Sequence, residues 1–261
     1  MRALIDADIL IYEVANHCEK TIPWPHEEEG EFLWTRHAHW DEAKVRLEEQ
    51  IHRMAQKAGA DEFVCAVTES SQNWRFEYYG DYKSNRTSKP AWKPMLVNPL
   101  RKWVSEQPWG RYIPGLEGDD IMGILQTKPD AGETICVTTD KDLATIPGLH
   151  YNFRKEEHFE VTEAEANWMH LLQGLAGDAT DGYPGCPGLC MKTAISMLDA
   201  PVEEREIPCI CDEVIVPAYE KKGMDQDFAL PQARVARILR ASDYNPKTKE
   251  VIPWLPPHYI D

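Results

Sequence analysis

The chain has 261 residues, 43% of them hydrophobic, and its 28 Lys and Arg against 44 Asp and Glu give a formal net charge of −16. This composition excludes collagen, solenoids and intrinsic disorder, and the length allows one large domain or two small ones. The sequence holds no apolar run long enough for a signal peptide or a membrane span. Its seven cysteines are an odd number and indicate reduced thiols, so we expect a cytoplasmic protein.

The charge is distributed unevenly along the chain. The net negative charge disfavours broad attraction to nucleic acid, because phosphates are bound largely by Lys and Arg. Residues 13–49 carry a net charge of −6, whereas residues 81–102 carry +5 and residues 221–249 carry +4. An acidic body with two basic segments is typical of a protein that holds a polyanion in particular places.

Three short apolar runs, 3–5, 63–68 and 135–139, predict buried β-strands. Between the first two lies a helical pattern over 41–58, whereas 23–31, which contains three consecutive glutamates, is expected to be a solvated loop. The alternation of strands and helices predicts an α/β fold with a mainly parallel central sheet flanked by helices.

An acid follows each predicted strand directly: Asp6, Glu69 and Asp140. In open α/β sheets, ligands bind in the crevice outside the carboxyl ends of the strands, which is where these side chains must lie. A single acid there is explained equally well as a turn former. Three strand ends that bring carboxylates to one place indicate a functional site.

A predicted helix over 116–125 opens with Glu117, Asp119 and Asp120. Acids in a first helical turn complement the helix dipole, which would explain one of them. Three carboxylates in four residues also repel one another, and two glycines weaken the helix. A clustered function is therefore the better interpretation of this segment.

The segment 174–188 is rich in glycine and lies between helical patterns at 161–172 and 191–198. Such a loop exposes backbone N–H groups and comes close to a phosphate, although an ordinary surface loop is the alternative explanation. Asp178 and Asp181 inside this loop add to the acids noted above.

The acids together form one candidate metal-binding set. Two unit charges about 5 Å apart repel by roughly 3 kcal/mol at an effective dielectric of about 20, so converging carboxylates need cations. Ligation by oxygen alone favours Mg²⁺ or Mn²⁺, and two such ions form the clamp used for displacement at phosphodiesters. The candidate ligands are Asp6, Glu69, Glu117, Asp119, Asp120, Asp140, Asp142, Asp178 and Asp181.

Over most of its length the sequence resembles the phage 5′→3′ exonucleases of the flap-endonuclease superfamily. The motifs that carry the resemblance occur in order: "LIDADILIY" from Leu4, "NWRFEYYGDYKSNR" from Asn73, "LEGDDIMGIL" from Leu116, "TTDKDLATIPG" from Thr138, "LLQGLAGDATDGYPGCPG" from Leu171 and "RVARILRASDYN" from Arg234.

The resemblance implies a PIN-like nuclease fold with a helical arch and a helix-three-turn-helix. We expect a metal-dependent core over 1–160 that includes the arch at 81–108. A C-terminal helical region over 161–261 is expected to pack on this core, with the helix-three-turn-helix at about 171–200.

The resemblance also implies which acids hold which metal ion. One ion would be bound by Asp6, Glu69, Glu117 and Asp119, and the other by Asp140, Asp142 and Asp181. Asp120 and Asp178 would support them. Glu69 departs from the pattern, because the family usually has Asp at this position.

The basic segments are implied to hold the nucleic acid. Lys83 and Arg86 would reach the scissile phosphate, a solvated basic turn being the alternative, while Tyr82 would be available to stack on a base. Arg234, Arg237 and Arg240 share a helical face that would touch duplex DNA or be a merely structural surface. The remaining implied contacts are Lys89, Lys93, Gly182, Gly185, Gly188 and Lys192.

The implied activity is hydrolysis of duplex DNA from the 5′ end or at a 5′ flap, with RNA of RNA–DNA hybrids as a further substrate. The implied enzyme is a monomer without membrane contact, located in the host cytoplasm if phage-encoded, with K⁺ as a further ion at the helix-three-turn-helix.

Other interpretations stay open at this point. One is a PIN-like ribonuclease, and another is a catalytically inactive protein that binds DNA structures. A haloacid-dehalogenase type phosphatase would use Asp6 as a covalent nucleophile. A zinc site would use cysteines whose spacing fits common zinc motifs poorly, namely Cys186, Cys190, Cys209 and Cys211.

Overall fold

The computed structural model describes residues 1–25, 32–69, 71–86, 93–198 and 211–256. The strands are β1 (Arg2–Asp6), β2 (Glu19–Pro25), β3 (Phe32–Ala38), β4 (Glu62–Ala66), β5 (Gly110–Arg111), β6 (Thr134–Thr138), β7 (Gly148–Asn152), β8 (Glu157–Val161), β9 (Tyr244–Asn245) and β10 (Glu250–Val251). The helices are α1 (Ala7–Cys18), α2 (Trp40–Lys57), α3 (Val97–Ser105), α4 (Gly118–Gln126), α5 (Glu163–Ala176), α6 (Met191–Leu198), α7 (Val216–Glu220) and α8 (Gln226–Ala236).

The central element is a mostly parallel sheet in the order β5-β4-β1-β6-β7-β8. The strand β1 pairs in parallel with both β4 and β6, and within the described part of this sheet only the edge strand β8 runs antiparallel to its neighbour. The three apolar runs thus form the adjacent strands β4, β1 and β6. The predicted α/β fold is confirmed, and the carboxyl ends of these strands meet at one edge.

Helices cover both faces of the sheet, as the alternation of side chains along β1 requires. Ala3 and Ile5 point to one face and pack with α1, α2 and α3. Leu4 points to the other face and packs with α4 and with the segment around Leu239. The chain after α8 therefore completes the second layer of the core, although it is remote in sequence from the strands that it covers.

The remaining helices α5, α6, α7 and α8 share an apolar cluster of their own. The helix α5 begins with a capping box in which Thr162 and Glu165 satisfy each other's backbone N–H groups. It ends at Gly177, whose φ of 71° is available to glycine at little cost. The helical patterns at 161–172 and 191–198 are confirmed as α5 and α6.

The strands β2 and β3 form a separate two-stranded antiparallel ribbon. The prediction of a loop over 23–31 is therefore wrong for Pro23–Pro25, which lie in β2, while 26–31 lie outside the described residues. Proline is tolerated here because an edge strand needs no N–H donor on its open side. Within the described part of the chain, none of the helices is long and apolar enough to cross a membrane.

Candidate functional site

The carboxyl edge of the central sheet opens onto a cleft of about 660 Å³, which we call the acid cleft. Its walls come from the ends of β1 and β6, from the start of α4 and from the glycine-rich loop after α5. The acids that line it are Asp6, Asp8, Glu13, Glu117, Asp119, Asp140, Asp142, Asp178 and Asp181. Of the predicted metal ligands, only Glu69 and Asp120 are not among these lining residues.

Short hydrogen bonds hold the acids at the strand ends. The hydroxyl of Thr138 donates to Oδ2 of Asp6 at 3.0 Å and accepts a bond from the backbone N–H of Asp140 at 3.0 Å. The carboxylate of Asp140 accepts from the N–H of Asp142 at 2.9 Å. The amide of Gln173 on α5 donates to Asp142 at 2.6 Å. These bonds orient carboxylates from β1 and β6 toward one space.

Burial and the charges of neighbouring acids dominate the environment of Asp6 and Asp119. Burial, followed by the charge of Asp8, raises the pKa of Asp6 to about 7. Burial, followed by the charges of Asp6 and Asp140, raises the pKa of Asp119 well above its usual value. Burial and then Asp140 raise the pKa of Asp142 to about 6. A bound cation would relieve this repulsion.

The acids share the cleft without forming a closed metal-binding group. In the described ranges, no three His, Cys, Asp or Glu side chains already converge in the arrangement of a metal site. Like charges repel, and the ammonium group of Lys83 lies between two of the acids, Glu117 and Asp181. The arrangement is therefore open and supplies oxygen atoms only.

Glu117 has a different environment from the other acids. Its carboxylate accepts bonds from Arg75 at 3.1 Å, from the Tyr82 hydroxyl at 2.9 Å and from Lys83. Burial alone would raise the pKa of Glu117, but the charges of Arg75 and Lys83 outweigh it and lower the pKa to about 2. Glu117 is therefore ionised throughout the neutral range.

Lys83 has a backbone φ of 56°, which is uncommon for a residue other than glycine. Its N–H donates to the carbonyl of Asp181 at 2.6 Å, and the side chain of Asn85 donates to the carbonyl of Ala179 at 2.5 Å. The start of the predicted arch is thus bonded directly to the glycine-rich loop. This contact places the Lys83 ammonium group over the acid cleft.

Tyr82 does not offer its ring to a base. The residue is 3% exposed, and its one hydroxyl hydrogen is shared between the carboxylates of Glu117 at 2.9 Å and Asp181 at 2.8 Å. The ring lies beside the cations of Arg75 and Lys83. The expectation that Tyr82 stacks on nucleic acid is not met, because both its ring and its hydroxyl are occupied within the protein.

Asp120 is fully buried away from the cleft. Its oxygens accept bonds from Arg75, from the Trp74 indole at 3.1 Å and from the N–H of Leu239 at 3.1 Å. With these donors satisfied, Asp120 connects α4 to the C-terminal segment and does not face a metal ion. Asp120 was expected to support the metal ligands, but in the structure it stabilises the packing of α4 against the C-terminal segment.

Glu69 also points elsewhere. Its carboxylate accepts bonds from Ser71 at 2.7 Å and from the Tyr112 hydroxyl, in a smaller groove beside the acid cleft. The nearby acid within the cleft is Asp8, which sequence reasoning left unassigned. Asp8 accepts from the N–H of Thr68 at 3.0 Å and from Arg101 at 2.6 Å. The sequence could have indicated Asp8 as a site residue, because it lies two residues after Asp6, at the start of α1.

Two of the three glycines predicted to contact DNA donate their N–H groups within the protein. The N–H of Gly182 donates to the carbonyl of Asp178 at 2.8 Å, and that of Gly185 donates to the Gln232 side chain at 3.1 Å. These amides therefore do not point at a phosphate, contrary to expectation. Gly188 and Lys192 are exposed, and their contact with DNA stays a prediction.

The other predicted cations fall into two groups. Lys93 is exposed and donates to Asn98 at 2.7 Å, while Lys89 and the side chain of Arg86 lie outside the described residues. Arg237 and Arg240 are buried and pair with Asp243 and Glu163, respectively. They fix the C-terminal segment and leave no cationic helical face for DNA, since α8 ends before them.

Comparison with known proteins agrees with this geometry. A family model described as "5′-3′ exonuclease, N-terminal resolvase-like domain" matches residues 31–168. The chain is 28% identical to an exodeoxyribonuclease of Enterobacteria phage T3, over 97% of this chain and 92% of that protein. It is 29% identical to an exonuclease of Escherichia phage T7, over 97% of this chain and 93% of that protein.

The fold also matches a solved structure. A bacteriophage T5 flap endonuclease, crystallised as a complex with DNA and metal ions, superposes with a TM-score of 0.65. The match is 13% identical and covers 90% of this chain and 88% of that one, so it bears on the fold. The family match covers more than half of the sequence, and the chain therefore belongs to the 5′→3′ exonuclease family.

Proposed function

We propose that this protein is a divalent-metal-dependent 5′→3′ exonuclease and flap endonuclease that hydrolyses phosphodiester bonds of DNA. The observation that carries the proposal is the acid cleft, where carboxylates from two strand ends, one helix start and one loop face a lysine. The names of the T3 and T7 relatives and the DNA in the T5 complex support the activity and the substrate.

The donor set fits Mg²⁺ or Mn²⁺. All the candidate ligands are carboxylates, and hard divalent ions prefer oxygen. The raised pKa of Asp6 and of Asp119 is the electrostatic signature of a site that binds cations. The ligands proposed for two ions are Asp6, Glu117, Asp119, Asp140, Asp142 and Asp181.

Bound ions of this kind activate water for attack and stabilise charge on the leaving oxygen. The chain's own residues would do the positioning. Lys83 would leave Glu117 and neutralise charge on the phosphoryl group, as preorganised cations do at a transition state. Tyr82 keeps Glu117 and Asp181 together through its hydroxyl, and Gln173 orients Asp142.

The finer features of the proposal concern substrate range and organisation. RNA in an RNA–DNA hybrid is proposed as a further substrate, and K⁺ as an ion at the glycine-rich loop. The proposed enzyme is a monomer that works in the host cytoplasm. Residues 1–160 would supply the metal site and the arch, and residues 161–261 would supply the duplex contacts, including Gly188 and Lys192.

A direct test compares a 5′-labelled duplex, a 5′ flap, an RNA–DNA hybrid and a single-stranded RNA, each with Mg²⁺ and with a chelator. Short products carrying the 5′ label are expected from the DNA substrates only with metal. Asp140→Asn should abolish them while binding of the duplex stays measurable, and Asp61→Asn, at an exposed site remote from the cleft, is the matched control.

The other functions predict different results. A PIN-like ribonuclease would cut the single-stranded RNA and spare the duplex. A binding protein without catalysis would bind the flap and give no metal-dependent product. Full turnover by Asp140→Asn, or products in the presence of chelator, would overturn the proposed mechanism.

A further inference from the structure

The ribbon of β2 and β3 carries large apolar side chains in contact with solvent. Because side chains alternate along a strand, the pairing register divides them between two faces. The first, which we call the aromatic face, carries Phe32, Trp34 and Arg36. The exposed fractions of Phe32 and Trp34 are 53% and 60%, and their ring centroids lie 6.4 Å apart. Apolar surface of this kind marks an interaction site.

The aromatic face is fixed to the middle of the predicted arch segment, 81–108. The guanidinium of Arg36 donates to the carbonyl of Lys93 at 2.7 Å and to Glu19 at 2.7 Å. The second oxygen of Glu19 accepts from the N–H of Met95 at 2.7 Å. The ribbon is therefore anchored beside the arch and turns its aromatic face toward the same side as Lys93.

Cations continue from this anchor to the acid cleft. Lys93 is bonded through its ammonium group to Asn98 at the start of α3. One helical turn later on α3, Arg101 contacts Asp8 in the cleft at 2.6 Å. Arg36, Lys93 and Arg101 thus lie between the aromatic face and the proposed catalytic site. Arg36 is paired with Glu19 and Arg101 with Asp8, so a phosphate at either guanidinium would have to replace the acid.

Exposed aromatic rings beside a cationic path are the chemistry that binds unpaired nucleic acid. Bases of a single strand stack on such rings, and the cations follow the phosphates, whereas a duplex keeps its bases hidden. The sequence between the two strands contains Glu27, Glu28, Glu29 and Glu31, whose charges disfavour phosphates. The strand should therefore cross the ribbon from Phe32 and Trp34 toward the anchored end at Arg36.

We infer that the aromatic face binds the unpaired 5′ strand of a DNA substrate, with its bases against Phe32 and Trp34 and its phosphates along Arg36, Lys93 and Arg101. This inference rests on the proposed function, because it assigns the single-stranded arm of the same substrate a place outside the acid cleft. The aromatic face would let the protein distinguish flapped from blunt substrates, although the face itself takes no part in hydrolysis.

The test uses the full-length protein in chelator, so that binding is measured without cleavage. Fluorescence anisotropy gives the affinity for a duplex with a 5′ oligothymidine arm and for the same duplex with a blunt end. The ratio of the two affinities should fall about tenfold or more in Phe32→Ala/Trp34→Ala. It should stay at the wild-type value in Trp24→Ala/Leu33→Ala, which removes matched side chains from the opposite face.

A ring at position 34 should suffice, so Trp34→Phe is expected to keep most of the wild-type ratio. An equal fall in both double variants, or no fall in either, would overturn the inference and point to a protein-docking ribbon. Failure of the proposed function has a separate signature, since wild-type protein would then leave the blunt duplex uncut with Mg²⁺. Cleavage of the blunt duplex with unchanged arm binding in Phe32→Ala/Trp34→Ala would remove only this inference.

Discussion

Arg75 and Asp120 form a two-pronged ion pair in the interior, with Nη1–Oδ2 and Nη2–Oδ1 distances of 2.8 Å each. The same guanidinium donates to the carbonyls of Val235 and Arg237. One buried cation thus joins the segment before the arch, the start of α4, the last turn of α8 and the residue that follows α8. The arrangement supports the cleft, because Arg75 also contacts Glu117.

Loss of this pair should destabilise the protein strongly. Asp120→Ala leaves the guanidinium buried without its main partner, and the free energy of unfolding should fall by about 3–5 kcal/mol. Glu62→Ala breaks the exposed pair with Arg2 and should cost about 1 kcal/mol or less. Urea unfolding followed by circular dichroism measures both, and similar losses in the two variants would contradict the assignment of Asp120.

Asp119 and Glu69 should differ sharply in their effect on cleavage. Asp119→Asn removes a ligand from the cleft and should lower the single-turnover rate about a thousandfold, equivalent to several kcal/mol. Glu69 lies outside the cleft, so Glu69→Gln should change the single-turnover rate by about threefold or less. A threefold change corresponds to about 0.7 kcal/mol in the activation free energy. Comparable losses in both variants would return Glu69 to the metal site.

Asp119→Asn should at the same time raise the melting temperature without metal. The folded state holds the pKa of Asp119 above its unfolded value, so its ionised form costs stability at neutral pH and asparagine removes that cost. Differential scanning calorimetry in chelator measures the change. A lower melting temperature would mean that the repulsion in the cleft is relieved in another way.

Lys83 should act in the chemical step. Lys83→Met removes a cation poised over the cleft, and the loss should be about a hundredfold in the single-turnover rate at saturating DNA. Lys102→Met, which removes an exposed lysine paired with Glu106 on α3, is the control and should change the rate little. Equal rates for the two variants would place Lys83 outside the mechanism.

His170 should make stability depend on pH. Burial, followed by the charge of Arg237, lowers its pKa to about 3. The unfolded chain therefore takes up a proton below about pH 6.5 that the folded protein does not bind. The contribution of His170 to the free energy of unfolding should fall by about 2 kcal/mol between pH 8 and pH 5, whereas the raised pKa values of Asp6 and Asp142 act in the opposite direction. His170→Gln should lack this component. Urea unfolding at both pH values checks it, and parallel curves for variant and wild type would contradict the buried neutral state.

The central fold was predictable because its signals are local. An apolar run that stops at an acid identifies β1, β4 and β6 without knowledge of their partners. The ribbon was not predictable in the same way. Pro23 and Pro25 are poor strand residues, and β2 forms through pairing with Trp34 and Phe32, so the tertiary pairing overrides the local preference.

The site was predictable in its acids but not in its partners. Strand-end geometry places Asp6 and Asp140 together, whereas the fate of Asp120 depends on Arg75 and on Leu239, which lies 119 positions away. Tyr82 likewise depends on Asp181, 99 positions away. Contacts at such separations leave no local pattern in the sequence. Only the burial of Asp120 in the structure shows that it is a structural carboxylate and not a metal ligand.

The reach of Arg75 to Val235 and Arg237 also bears on how the protein matures during translation. A ribosome that has released only the sheet and its first helices leaves this guanidinium without the carbonyls that it needs in the interior. Arg75 can therefore reach its full set of partners only after Val235 and Arg237 have emerged, and fragments that end before them should lack the support that Arg75 gives to Glu117.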